Sequence, residues 1–189
     1  METSPTRPAT AFEGRLRLAS GPLREVALAV KAALERTACG PILTFDDATG
    51  GVIDLDTRGS DEEVLARLDP PAPARGRGRP RLGVVPREVT LLPRHWDWLN
   101  TQPGGASVAL RRLVEEARRA QAGPDRRRAA QEAAYRFMSA MAGDEPGYEE
   151  ALRALFAGDP EAFDLNTRAW PGDVRATTLR LAQPALSRG

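Results

Sequence analysis

Residues 75 to 81, Arg75-Gly76-Arg77-Gly78-Arg79-Pro80-Arg81, place Arg75, Arg77, Arg79 and Arg81 at alternate positions along a chain that side chains barely restrict. Glycines let such a backbone lie deep in a narrow cleft, proline stiffens the extended path, and arginines are drawn to the enhanced negative potential of a narrow DNA minor groove. Other chemistry is scarce. One cysteine, Cys39, and one histidine, His95, can form neither an internal disulfide nor a Cys/His zinc cluster. His95 has no partner in a recognisable catalytic motif and reads as a helix-surface or capping residue. Asp46, Asp47, Asp54 and Asp56 gather around one expected hairpin. Their spacing does not match a calcium-binding loop, and they read as a solvated hairpin edge in which strand alternation exposes Asp54 and Asp56 together. No nucleophile, base and metal grouping emerges, so an enzyme is not expected and no cofactor is implied.

The charge pattern supports a polyanion partner. The 189 residues carry a net charge of only +1, yet residues 72 to 128 hold 13 arginines against five acids, a local +8 balanced by −7 elsewhere. A basic island between acidic ends is the electrostatic footprint of a nucleic-acid partner. Hydrophobic residues make up 41% of the chain, enough for a real core, and no apolar run approaches the roughly 18 residues of a membrane span. A cytoplasmic, nucleoid-associated protein that makes no membrane contact is the expectation.

The elements that must position these residues follow from local signals, and they predict an α+β fold. Residues 1–10 read as a loose tail, 11–69 as an N-terminal α+β module, 70–86 as a linker carrying the Arg-Gly arm, 87–122 as a central segment, 123–183 as a helical region and 184–189 as a tail. Within the module, residues 12 to 19 suit a strand, and Pro22 opens an amphipathic helix with Leu23, Val26, Leu28, Val30 and Leu34 near helical spacing. Ile42 to Phe45 and Val52 to Asp56 suit a hairpin through Thr49-Gly50-Gly51, and Ser60 with Glu63 forms a capping-box signature. Pro70, Pro71 and Pro73 favour an extended linker between two domains. Beyond Gly123-Pro124, a helix restart places Ala130, Ala134, Phe137, Met138 and Met141 on one side. That stripe suits a core or, secondarily, a groove for a protein partner. Further short helices follow, separated at Gly143 to Gly147, Gly158-Asp159-Pro160 and Pro171-Gly172. Trp96, Trp98 and Trp170 read as core or interface anchors rather than base-stacking platforms.

The central segment runs strand, helix, glycine turn, helix. Arg87 to Leu92 is β-prone, Pro93 opens a helix through Arg94 and Leu99, and Pro103-Gly104-Gly105 ends it. Ser107 is placed to cap a second helix with Leu110, Leu113, Val114 and Ala117 in one stripe. With Leu92-Pro93 at the junction, Trp96 and Leu99 on the first helix, and Ser107 to Val114 opening the second, the segment resembles the ribbon-helix-helix family of Arc, CopG and MetJ type. The Arg-Gly arm resembles an AT-hook. The resemblance implies a homodimer whose paired strands enter the major groove and whose second helix, from Ser107, meets a phosphate. Two registers stay open. Val89 and Leu91 inside would leave Glu88 and Thr90 at the groove, which is preferred; Leu92 inside would turn Arg87, Val89 and Leu91 outward. The implied contacts to DNA are Arg75, Arg77, Arg79, Arg81, Arg87, Glu88, Thr90, Arg94 and Ser107. The implied dimer core is Val89, Leu91, Trp96, Leu99, Leu110, Leu113 and Val114.

Nearly the whole chain is also similar to a bacterial family carried as a domain of unknown function, on Phe45-Asp46-Asp47-Ala48-Thr49-Gly50, Arg58-Gly59-Ser60, Leu91-Leu92-Pro93-Arg94-His95-Trp96 and Tyr135 to Asp144. The expected function is that of a dimeric DNA-binding protein, a transcriptional regulator or nucleoid-type binder. The alternative is a protein-interaction or antitoxin-like adaptor that uses the central segment only to dimerise.

Overall fold

A computed structural model describes residues 6–36, 40–69, 85 and 87–187. The described residues of Met1–Pro71 and Pro124–Gly189 form one compact unit, and those of Ala72–Gly123 form a second.

The first unit is built on a four-stranded antiparallel sheet in the order β2-β1-β3-β4. Its strands are β1 (Pro8–Glu13), β2 (Leu16–Pro22), β3 (Ile42–Asp46) and β4 (Val52–Ile53). The expected tail over residues 1–10 is therefore corrected, because Ala9 and Thr10 are buried in β1, a central strand. The single strand expected over 12–19 is two strands joined at Gly14, whose φ of 58° reverses the chain where a side chain would be strained.

Alternation along β1 and β3 gives the sheet two buried faces. Ala9 and Ala11 pack with Ile53 against helices α1 (Leu23–Glu35) and α2 (Asp61–Leu68), through Leu23, Val26, Ala27, Val30, Val64 and Leu68. The Ser60 hydroxyl accepts from the Glu63 amide, and the Glu63 carboxylate accepts from the Ser60 amide, which completes the capping box at the start of α2.

Phe12 and Phe45 point the other way, into the helical region. There Phe137 meets them with ring centroids at 5.5 and 4.8 Å. Phe137 belongs to α4 (Gly105–Met141), on which Ala130, Ala134, Phe137, Met138 and Met141 recur at helical spacing. Helices α5 (Tyr148–Ala157), α6 (Pro160–Thr167) and α7 (Gly172–Leu186) complete this layer. Trp170 is buried there and donates its indole N–H to the Pro146 carbonyl at 2.9 Å. The N-terminal module and the helical region thus share one core, because each sheet face carries apolar side chains and both need cover. The tail expected over 184–189 begins too early, since α7 reaches Leu186 and Ala185 is buried.

The second unit contains α3 (Pro93–Asn100) and the beginning of α4. Helix α4 runs unbroken through Pro124, where a restart was expected. Proline removes one amide and crowds the preceding turn, but the helical hydrogen bonds on either side carry the element through it.

Candidate nucleic-acid interface

The second unit turns on two adjacent glycines. Gly104 and Gly105 both hold left-handed φ values, 83° and 76°, and a Cβ on Gly104 would lie 3.1 Å from the Val108 side chain. The first helix ends at Asn100, so these glycines belong to the turn and to the first position of α4. Ser107 lies inside α4 and is not its N-cap; its carbonyl and hydroxyl accept from the Arg111 guanidinium at 3.0 and 3.4 Å. Helix geometry begins as soon as the left-handed turn is complete, which places the start two residues before the serine.

Residues 87–92 form no strand within this single chain. A lone extended segment has no neighbour to complete a ladder, so local β-propensity alone does not make one. Of the residues expected to pair two chains, Leu99 is buried, and Leu91 and Leu110 are half-buried. Val89, Trp96, Leu113 and Val114 are exposed, Val89 at 55% and Val114 at 63%, and Leu92 and Trp98 are uncovered beside them. The expected dimer core is therefore largely open in one copy.

Arg87, Glu88, Thr90 and Arg94 are exposed on the same segment. Arg75, Arg77, Arg79 and Arg81 lie outside the described residues, as does Cys39. Arg118 donates to Glu115 at 2.8 Å, Arg119 reaches the same carboxylate at 3.2 Å, and Arg112 lies 3.8 Å from Glu116. The Arg118 hydrogen bond, followed by its charge, holds the Glu115 carboxyl below its ordinary range. His95 is exposed on α3.

Asp46 and Asp47 have a different purpose from the solvated hairpin edge expected of them. Asp46 is buried and ion-paired to Arg7 at 3.0 Å, while its other oxygen accepts from the Ala48 and Thr49 amides and closes the turn. Asp47 accepts from the Thr10 hydroxyl at 2.8 Å and from Arg180 of α7 at 2.9 Å. Arg136 of α4 donates to the Thr49 carbonyl at 3.3 Å. The turn therefore ties β1, α4 and α7 together. Asp54 and Asp56 are exposed but follow β4 rather than lying in it. Asp56 accepts from the Arg58 side chain at 2.8 Å, and that hydrogen bond holds its carboxyl far below the usual range. Sequence spacing showed that these acids cluster, but burial and basic partners from distant elements come only from the tertiary structure. Among the described residues, no group of three or more His, Cys, Asp or Glu side chains is arranged to hold a metal ion.

The Phe137, Met138 and Met141 stripe is buried, which removes it as a groove for a protein partner. A cleft of about 230 Å³ does lie nearby, with Arg126, Ala130, Ala133 and Arg180 among its lining residues. Among the described residues, no helix is long and apolar enough to cross a membrane.

These features define a mixed α/β protein: an N-terminal region with a small antiparallel sheet, followed by an all-helical C-terminal region, with a second unit interposed that is rich in exposed arginines and uncovered apolar side chains. The chain belongs to the family described as uncharacterized protein conserved in bacteria (DUF2239), whose model matches residues 8–182. No curated protein and no solved structure matches the chain.

Proposed function

We propose that this protein is a dimeric DNA-binding protein, a transcriptional regulator or nucleoid-type binder. Two copies of residues 87–92 pair as an antiparallel ribbon of ribbon-helix-helix type, and the Arg-Gly arm lies in an A·T-rich minor groove as an AT-hook does. The observation that carries this reading is the uncovered apolar surface of Val89, Trp96, Leu113 and Val114, in the same stretch as a local charge of +8 over residues 72–128. A second copy would cover the apolar side chains, and the positive charge suits a phosphate backbone. In this reading the 87–92 segments of two chains complete each other's ladder, which neither can do alone. Thr90 and Glu88 then face the groove, flanked by Arg87 and Arg94.

The test is a gel shift on A·T-rich and G·C-rich duplexes over a salt series. The expected result is an affinity that falls steeply with salt and is greater on the A·T-rich duplex, with Arg77→Ala and Arg79→Ala costing more there. Dimerisation without a shift on either duplex would overturn the reading and leave the segment as a protein-interaction or antitoxin-like adaptor.

A further inference from the structure

Helix α4 has two dissimilar sides within the second unit. Arg111, Arg112, Arg118 and Arg119 are all exposed. At about 3.6 residues per turn, a spacing of seven sets Arg118 in line with Arg111 and Arg119 in line with Arg112, so the four occupy a sector of about 120°. Leu110, Leu113, Val114 and Ala117 fall on the opposite side by the same geometry. Glu115 lies in the middle of the arginine sector, bound by Arg118 and Arg119, and Glu116 lies near its edge beside Arg112. Arg111 is held by the carbonyl and hydroxyl of Ser107. Two carboxylates thus stand against four guanidinium groups.

Pairing of two copies through the apolar side would turn the two arginine faces away from each other, because a two-fold axis relates identical surfaces. Neither face could then meet the partner chain. The ion pairs on it are solvent-exposed and weak, whereas phosphate oxygens match the guanidinium fork and release their condensed counterions when it binds.

We propose that the arginine face of α4, formed by Arg111, Arg112, Arg118 and Arg119, is a second nucleic-acid surface that grips the phosphate backbone of another duplex, so that one dimer bridges two duplex segments. This rests on the DNA-binding reading above. Glu115 acts as a restraint on the surface, since it holds two of the four arginines until phosphates displace it.

The experiment uses the full-length protein, an immobilised A·T-rich duplex and a labelled free duplex. Capture of the free duplex is expected for the native protein. It should fall about ten-fold or more when the four arginines are replaced together by glutamine, since each lost phosphate contact lowers affinity and flattens the salt dependence. The gel shift of a single duplex should change far less, and the thermal unfolding curve should stay in place. Replacing the four by lysine should retain most of the capture, and Glu115→Gln should increase it. Undiminished capture by the glutamine variant overturns the inference, as does a native protein that shifts one duplex yet captures no second. Unchanged capture by Glu115→Gln removes the restraint assigned to that carboxylate. A native protein that shifts no duplex at all overturns the DNA-binding reading itself, and this inference with it.

Discussion

Gly50 shows how one residue couples the sheet to the helical layer. Its φ is 65°, and a Cβ built there would lie 1.9 Å from the Ala133 carbonyl oxygen of α4. Backbone faces backbone at that point, so no side chain can swing aside. Gly50→Ala should therefore destabilise the protein by at least about 1 to 3 kcal/mol from the backbone conformation alone, with the clash in addition. The melting temperature should drop by several degrees. Gly51→Ala is the control, since its nearest neighbour is the Thr49 hydroxyl at 3.4 Å and its φ is not left-handed. Equal melting temperatures for the two variants would disprove the close approach. The turn and its glycines were readable from Thr49-Gly50-Gly51 between two apolar runs. The inward roles of Asp46 and Asp47 were not, because Arg7 and Arg180 stand far from them in sequence.

At the scale of elements, the proposed ribbon turns on which side of residues 87–92 would face a second copy. Leu91 is already half-buried in one copy, and Thr90 is exposed. In the proposed ribbon, Leu91→Ala should destabilise the dimer by about 2 to 5 kcal/mol if the site packs well. Thr90→Ala should leave stability within about 0.5 kcal/mol and weaken binding to a preferred site by about 1 to 3 kcal/mol. Melting curves and binding isotherms on both variants separate the two registers. A stable Leu91→Ala with lost binding, beside an unstable Thr90→Ala, would assign Arg87, Val89 and Leu91 to the groove. Helix periods were legible wherever one face is buried, as in α1 and the second half of α4. Helix boundaries were less so: Ser107 and Pro124 are ordinary boundary signals that the continuous helix overrides.

For the molecule as a whole, the proposed dimer makes a sharp demand on Leu113. It is 37% exposed in one copy and lies on the apolar side of α4. Leu113→Asp would force a carboxylate into the interface between two copies, a costly burial without a partner. Sedimentation at micromolar concentration should give a dimer for the native protein and a monomer for the variant. A native monomer would refute the assembly and the ribbon that depends on it. Because the sheet core lies in the other unit, the variant should keep the melting transition of that core.

Sequence alone determined the α+β class, the basic centre between acidic ends, the capping box of α2, the hairpin glycines and the apolar stripe of Phe137, Met138 and Met141. The last three of these depend on residues within a few positions of one another, where backbone geometry and side-chain period act directly. The tertiary structure decided what lies far apart in the chain. It made Pro8–Glu13 a central strand, joined the N-terminal sheet to the C-terminal helices through Phe12, Phe45 and Phe137, and turned Asp46 and Asp47 inward to Arg7 and Arg180. Local pattern cannot specify these pairings, because an apolar strand face or a carboxylate is satisfied by whichever partner the whole fold brings to it.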